Sequence, residues 1–178
     1  EGQKATVEVY SDAEVVVLYC NDKLIGKKRP KKFRAMFKLP YQPGTLKAVA
    51  LDKNGNAIGE TMLQTAGQET RLHLAPEKTT LRADGQSLCF IPITLTDAAG
   101  IWKPCANAKV HVEIEGPATL QTLGSAATQT DENYLNDTHT TWLGRALAVV
   151  RVGTEPGRVC VTVTAAGYEP QCVELAVQ

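Results

Sequence analysis

Apolar and polar residues alternate with a period of two along most of this chain. This alternation predicts β-strands with one buried face, and no helical periodicity lasts beyond two turns. In the first third the pattern covers ATVEVYS, EVVVLYC, KLIGKK, FRAMFKLP, GTLKAVALD and AIGETMLQT. Asn54-Gly55 predicts a two-residue hairpin turn, and Asn21-Asp22 is a weaker signal of the same kind. The Asn21-Asp22 turn places one set of side chains on the buried face, Val16, Leu18, Cys20 and Ile25. It directs another set outward or toward a neighbour, Val15, Val17 and Tyr19.

A short polar segment, TAGQET at residues 65–70, separates these strands from a second series. Alternation then resumes in TRLHLAP, TTLRA, SLCFIPITLTD, KVHVEIEG, RALAVVRVG, RVCVTVTAAG and QCVELAV. Short strands separated by turn signals at regular spacing are typical of β-sandwiches. We therefore predict an all-β chain with two tandem immunoglobulin-like antiparallel β-sandwich domains, residues 1–66 and 67–178.

One polar segment, GSAATQTDENYLNDTHTTWLG from Gly124 to Gly144, interrupts the strand pattern. Long ordered loops in compact domains are often functional. Aromatic rings beside Asn and Asp side chains can stack on a sugar and hydrogen-bond to it. The candidate contacts with carbohydrate or with a neighbouring domain are Asp131, Asn133, Tyr134, His139 and Trp142. In the alternative interpretation, the two rings only pin the loop to the sandwich.

The acidic residues do not form a pattern that indicates catalysis. They lie mainly on turns and on outward strand positions, which favours solvated faces over the paired carboxylates that glycoside hydrolysis requires. The chain contains no G-x-S-x-G motif. The oxygen-rich loop does not have the spacing of a recognised calcium loop. We therefore expect no catalytic residue, no metal site and no cofactor in this chain.

The charge of the chain argues against two classes of partner. Lysine and arginine number 19, aspartate and glutamate also 19, so the net charge is zero. The segment GKKRPKKFR holds six basic residues but only one aromatic ring, Phe33, and this favours a solvated turn over single-strand binding. No apolar run reaches the length of a membrane span. We expect neither nucleic acid nor membrane as a partner, and the first ten residues lack the n-region and h-region of a signal peptide.

The five cysteines have irregular spacing and form no C-x-x-C motif. An odd count of this kind favours free thiols in a reducing compartment, so we expect a cytoplasmic location. One pair suggests an alternative. A hairpin that turns near Ala166 would place Cys160 directly opposite Cys172 on an outward face, within disulfide range. This pair is a candidate disulfide.

Several motifs in order resemble parts of one bacterial enzyme family. The first group is VEVYSDAEVVVLYCNDKLIGKK, FKLPYQPGTLKAVALDKNGNAIGE and LQTAG. It resembles the small β-domain that follows the catalytic barrel in many β-galactosidase-like members of glycoside hydrolase family 2. The second group, LRADGQSLCFIPITLTDAAG, VEIEGPATLQTLGSA and HTTWLGRALAVVRVG, resembles the next immunoglobulin-like domain of those enzymes. The likeness runs from about Thr6 to Val177.

The resemblance implies a parent enzyme that hydrolyses β-galactosides or related glycosides by a retaining mechanism. Its two catalytic glutamates would belong to a (β/α)₈ barrel that this chain lacks. We therefore expect a non-catalytic accessory region that packs on the barrel of the same chain, supports it, or supports a homodimer of the parent. Outward apolar residues such as Val15, Val17 and Tyr19 would form the docking surface. Two alternatives stay open: a carbohydrate-binding module that uses the 124–144 loop, and a cell-surface immunoglobulin-like adhesion module.

Overall fold

The computed structural model describes residues 2–178, which contain fifteen β-strands and no helix. The chain divides into two compact units, one ending at Thr65 and the other running from Ala66 to Gln178. The division lies one residue before the boundary predicted from the sequence. Nearly all strand pairs are antiparallel, and the predicted all-β, immunoglobulin-like fold class is confirmed.

The first unit is a sandwich of two unequal sheets. Its strands are β1 (Lys4–Tyr10), β2 (Val15–Cys20), β3 (Lys23–Lys28), β4 (Arg34–Pro40), β5 (Thr45–Leu51) and β6 (Ala57–Gln64). One sheet contains only β1 and β4, and the other has the order β3-β2-β5-β6. The buried core between them consists of Val16, Leu18, Ala35, Phe37 and Ala48. The core of this unit is therefore small.

Tight turns close two hairpins of the first unit. Asn21 and Asp22 have φ angles of 49° and 62°, the left-handed pair that a type I′ turn requires between β2 and β3. The Oδ1 atom of Asn21 also accepts the N–H of Thr45 at 2.7 Å. Between β5 and β6, the Asp52 carboxylate accepts the N–H groups of Asn54 and Asn56, both at 2.8 Å. The structure confirms the predicted Asn21-Asp22 turn. A turn also lies at Asn54-Gly55, but it is longer than the predicted two residues: only Gly55 has a positive φ angle, 84°, and residues 52–56 separate the two strands.

Strand β2 is buried more completely than the alternation predicts. Val16, Leu18 and Cys20 are buried as predicted, but Val17 is also only 2% exposed. Val17 belongs to a central strand and lies beside Lys27 of β3 and Val49 of β5 in register, so its neighbours cover it. The prediction that Val17 forms an open docking surface is therefore wrong. Val15, Tyr19 and Ile25 are half-buried.

The second unit is a larger sandwich of nine strands. They are β7 (Arg71–Leu74), β8 (Thr80–Leu81), β9 (Leu88–Thr96), β10 (Lys109–Glu115), β11 (Ala118–Gly124), β12 (Thr138–Thr140), β13 (Arg145–Val152), β14 (Gly157–Ala165) and β15 (Gln171–Val177). One sheet has the order β12-β10-β14-β15-β8, and the other β11-β13-β9-β7. Only the short β15–β8 pair is parallel among the residues described. The fully buried core includes Ile91, Ile93, Leu95, Val150, Val159, Val161 and Val163.

The alternation of the sequence does not predict β11 or β12. A β-bulge between Leu120 and Thr122 shifts the register of β11, which puts Leu120 and Leu123 three residues apart instead of two. Strand β12 has only three residues and lies inside the segment from Gly124 to Gly144. That segment is therefore not one continuous loop, as the sequence suggested.

One buried carboxylate fixes the start of the second unit. Asp97, which is 7% exposed, accepts three backbone N–H groups at 2.7–2.9 Å, from Gly67, Ala99 and Ile101. The ammonium group of Lys103 donates at 2.7–2.8 Å to three backbone carbonyls, of Gly67, Gln68 and Glu69. These bonds hold residues 67–69 against the turn that follows β9. The N–H of Gly67, with that of Ile101, holds the pKa of Asp97 below its usual range.

We expect Asp97→Asn to lower the thermal midpoint of the second unit at neutral pH, because an amide NH₂ would then face the N–H donors. The wild-type pKa is lower in the folded state than in the unfolded state, so the carboxylate stabilises the fold above its unfolded pKa. This stabilisation is lost as the pH falls through the folded pKa. Thermal scans at about pH 7 and about pH 2.5 measure the difference, which should shrink at the lower pH. The exposed Asp131→Asn variant is the control, and an Asp97→Asn effect independent of pH would contradict the assignment.

Candidate functional site

The connection between β11 and β13 is fastened to the second sandwich by its own hydrogen bonds. The carboxylate of Glu132 accepts the N–H of Thr140 at 2.9 Å and its hydroxyl at 2.8 Å. These two donors, the N–H first, hold the pKa of Glu132 below its usual range. The carbonyl of Tyr134 accepts the N–H of Leu123 at 2.9 Å and the hydroxyl of Thr122 at 2.8 Å. The connection is therefore an ordered part of the surface.

His139, one of the predicted contacts, lies inside the sandwich and not on its surface. Its side chain is 0% exposed, and its Nδ1 lies 3.0 Å from the carbonyl of Thr140 and 3.3 Å from Glu132 Oε2. The Tyr134 ring stacks on the imidazole with 5.2 Å between centroids and 25° between planes. His139 Nε2 has no hydrogen-bond partner within residues 2–178. The prediction that His139 contacts a carbohydrate or a neighbouring domain is therefore wrong. Its buried imidazole packs against the Tyr134 ring instead.

Asp131 and Asn133 lie on the exposed part of the same connection. The Oδ1 atom of Asn133 accepts the N–H of Leu135 at 2.9 Å, which closes a local turn. Neither residue lines the groove in which Tyr134 lies. The structure thus separates these two side chains from the aromatic residues with which the sequence grouped them.

The groove lies on the outer face of the sheet that contains β11 and β13. Its volume is about 420 Å³, and its walls include Ser125, Tyr134, Arg145, Leu147 and Val149. Tyr134 is 44% exposed and Leu147 is 38% exposed. The hydroxyl oxygen of Ser125 is buried and has no hydrogen-bond partner among the residues described. The groove is mainly apolar, with a few polar atoms at its margin.

Trp102, which the sequence analysis did not select, stacks on Arg145, one of the residues that line this groove. The guanidinium carbon of Arg145 is 3.7 Å from the centroid of the Trp102 ring, a cation–π contact. The indole N–H donates to the carbonyl of Leu143 at 2.8 Å, and the residue is 37% exposed. The only sequence signal was a tryptophan outside any alternating segment, in GIWKPC.

Trp142 approaches the same arginine through the backbone. Trp142 and Arg145 exchange two backbone hydrogen bonds, of 2.8 and 3.0 Å. The turn between them consists of Leu143 and Gly144, with φ angles of 49° and 69°. Trp142 is 45% exposed. Arg145 is therefore the residue around which both tryptophans are placed.

Four outward residues of two neighbouring strands continue the apolar surface beside the groove. In register, Phe90 of β9 pairs with Val149 of β13, and Pro92 pairs with Leu147. Phe90 is 39% exposed. We call Phe90, Pro92, Leu147 and Val149 the apolar strip; the first three are exposed, whereas Val149 is only 6% exposed and is already covered by its neighbours. Side chains of this kind on the outer face of a sheet mark a surface that another protein segment can cover.

The two candidate disulfide cysteines are not directly opposite each other. Cys160 pairs with Glu174 and Cys172 pairs with Thr162, because the hairpin turns one residue later than predicted. The two cysteines are therefore diagonal neighbours, and the structure joins them in a disulfide across a Cα–Cα distance of 6.6 Å. Cys20, Cys89 and Cys105 are free. Disulfides persist in oxidising compartments and are rare in the cytoplasm, so this bond does not support the expected cytoplasmic location. That location stays a prediction.

Neither a metal centre nor a membrane helix occurs in the part of the chain that the structure describes. Within residues 2–178, no group of three or more His, Cys, Asp or Glu side chains is placed to hold a metal ion. The same residues contain no helix of the length and apolar character needed to cross a membrane. The groove, the apolar strip and the Trp102–Arg145 stack are the surface features from which a function can be argued.

Comparison with known protein families gives two matches. Residues 72–174 match the family described as glycoside hydrolase family 2 C-terminal domain 5. Residues 2–59 match a domain of unknown function, DUF4982. A β-galactosidase of Bacteroides ovatus is 25% identical over 171 residues, 95% of this chain and 20% of the relative. A β-glucuronidase of Formosa agariphila is 32% identical over 124 residues, 66% of this chain and 12% of the relative.

Solved structures agree with these matches. A glycosyl hydrolase family 2 member from Bacteroides cellulosilyticus has a TM-score of 0.96 and 34% identity, covering 100% of this chain and 23% of that chain. A β-glucuronidase from glycoside hydrolase family 2 has a TM-score of 0.88 and 26% identity, covering 99% of this chain and 19% of that chain. The present chain thus spans about a fifth of the length of the B. ovatus relative. The resemblance found in the motifs is confirmed.

Proposed function

Because this chain belongs to the glycoside hydrolase family 2 C-terminal domain 5 family, we propose that it is the non-catalytic C-terminal accessory region of a longer glycosidase. The parent would hydrolyse O-glycosidic bonds in a catalytic domain that precedes these residues. The observation that carries this proposal is the share of the relatives covered, 20% of the B. ovatus β-galactosidase against 95% of this chain. The accessory role is supported by that share and by the match to a family described as a C-terminal domain.

The proposed physical role is to pack on the rest of the parent chain and stabilise it. The apolar strip and the Trp102 ring stacked on Arg145 are the proposed contact surface in the second unit. Interfaces between domains of one chain bury about 600–1,500 Å² and contain apolar and aromatic side chains, which suits this surface. A homodimer of the parent is a second use of the same surface.

We expect Leu147→Arg to lower the stability of this region in the full-length parent by about 2 kcal/mol or more, because it places an unpaired charge in an apolar contact. Thermal unfolding of the parent, followed together with glycosidase activity at low temperature, measures this loss. Activity before heating should stay within about twofold of wild type, because Leu147 lies outside the catalytic domain.

Glu113→Arg is the matched control, since it introduces the same side chain on the exposed opposite sheet of the unit. It should leave the unfolding midpoint unchanged. Equal midpoints for the Leu147→Arg parent and the wild-type parent would contradict the packing role of the apolar strip. Light scattering of both proteins tests the homodimer: dissociation of a wild-type dimer by Leu147→Arg would support dimerisation through this surface.

A saccharide in the groove is a second candidate function, because the exposed Tyr134 ring and Arg145 line the groove and the exposed Trp102 ring stacks on Arg145. Stacking of a pyranose on Trp102 would change tryptophan fluorescence. A titration with galactosides and plant polysaccharides to millimolar concentration should then give a saturable change, which Trp102→Phe removes and Trp142→Phe retains. No change in the wild-type protein would exclude the groove as a saccharide site.

A further inference from the structure

The first unit has an uncovered sheet edge that its fold does not explain. Strand β1 pairs with β4 on one side and has no strand on the other within the residues described. The β1–β4 sheet has two strands and faces a sheet of four strands, so the smaller sheet is too narrow to cover the larger one. Two-stranded sheets are marginal on their own, and open edges are normally paired, covered or protected by charge.

The backbone of β1 presents a regular row of hydrogen-bonding groups at this edge. Two hydrogen bonds show which residues of β1 direct their backbone groups toward β4: the Tyr41 N–H donates to the carbonyl of Gln3, and the Ser11 N–H donates to the carbonyl of Phe33. Since N–H groups alternate sides along a strand, Ala5, Val7 and Val9 direct theirs toward β4. The groups that point to the open edge belong to Lys4, Thr6, Glu8 and Tyr10.

Below this edge lies an apolar groove whose floor is formed by β5 and β6. Two neighbouring cavities of about 180 and 150 Å³ run beside β1, and both are lined by Val7, Leu46 and Leu63. Leu63 is on the core side of β6, in register with Leu46. It is nevertheless 69% exposed. An apolar side chain that faces the core but remains exposed indicates a missing cover.

We propose that the segment of the parent chain immediately preceding Glu1 adds to β1 as a third strand and closes this groove. Its backbone would pair with Lys4, Thr6, Glu8 and Tyr10, and its inward side chains would cover Leu46 and Leu63. This is strand addition to an exposed edge, in which the main chain gives the affinity and alternate side chains fill the groove. The inference rests on the proposed function, because it requires a longer parent chain.

Two arguments select this occupant. The family is described as a C-terminal domain and this chain covers only 20% of the B. ovatus relative, so a longer parent would supply chain before this region, and β1 is the first strand of the unit. A segment joined to β1 by a short turn also has a high effective concentration at that edge. A second copy fits poorly: pairing β1 with another β1 would bring two overhanging four-stranded sheets into the same space.

Hydrogen exchange with residue-level mass spectrometry on the full-length parent tests this proposal. If the strand is present, the amides of Thr6 and Glu8 will exchange as slowly as those of Ala5 and Val7, within about tenfold. If the edge is open, the first pair will exchange roughly 100-fold faster than the second, and the proposal is overturned. The comparison is internal to one strand, so it does not depend on a fragment that folds alone.

Two variants of the parent identify the occupant. Replacement of the residues just before Glu1 by a Gly/Ser linker of equal length should abolish the protection of Thr6 and Glu8; protection that persists means another occupant and overturns the proposal. Leu63→Lys should weaken the protection at least tenfold, whereas Met62→Lys, on the opposite and exposed face of β6, should retain it. Equal effects of the two lysines would also count against the groove. Glycosidase activity of the parent is measured separately, so loss of the proposed function is distinguishable from loss of the strand.

Discussion

Phe37→Ala will unfold most of the first unit and leave the second unit folded. Phe37 is 2% exposed and is the largest of the five buried residues in this core. Replacing a buried phenylalanine by alanine costs about 3–5 kcal/mol, from lost burial and from the cavity that remains. A unit of this size has only about 3–10 kcal/mol of stability in total, so the loss removes much or all of it. Hydrogen exchange resolved by unit measures both parts in one protein.

Phe33→Ala provides the same chemical change on the surface. Phe33 lies four residues earlier in a two-residue turn and is 69% exposed. Its replacement should change the free energy of unfolding by less than about 1 kcal/mol. If Phe37→Ala cost as little as Phe33→Ala, the two sheets of the first unit would not pack around Phe37 as described.

Gly116→Ala will destabilise the second unit by about 3 kcal/mol. Gly116 joins β10 to β11 with a φ angle of +101°, where a side chain costs about 1–3 kcal/mol. A methyl group there would also collide with the backbone carbonyl of Arg158 and approach Val159 Cα at 3.1 Å. Strand β14, which carries both residues, is paired on both sides and cannot withdraw. Crowding of this kind adds about 1–3 kcal/mol.

Gly167→Ala separates the two contributions. Gly167 also has a positive φ angle, +84°, but a methyl group there would have no heavy atom within 4 Å. Its replacement should therefore cost only the backbone strain, about 1–2 kcal/mol. Chemical denaturation of both variants gives the difference. Equal losses would mean that the connection at Gly116 does not lie against β14.

The sequence predicts thirteen of the strands because their alternation is regular and their turns carry Gly, Asn or Asp. It misses β11, whose bulge breaks the alternation between Leu120 and Thr122, and β12, which is too short to show a period. It also places Val17 outward, because alternation gives the direction of a side chain but not what covers it. The Cys160–Cys172 pair illustrates the same limit, since a one-residue shift of the turn makes the two cysteines diagonal neighbours.

The sequence predicts only some of the residues of the candidate site. Tyr134 and Trp142 can be selected as polar-loop aromatics, and both are exposed. Trp102 cannot be linked to them from sequence, because the antiparallel pairing of distant strands brings Arg145 under its ring. His139 looks like a surface residue in a polar segment. Its burial depends on β12, the strand that the pattern does not reveal.

The central claim is that these residues support chemistry that occurs in another domain. Incubating the purified 178-residue chain with chromogenic β-galactosides and β-glucuronides tests it most directly. We expect no release of the chromophore above the buffer rate at high protein concentration. Turnover that rises in proportion to this chain and co-elutes with it in size-exclusion chromatography would contradict the account.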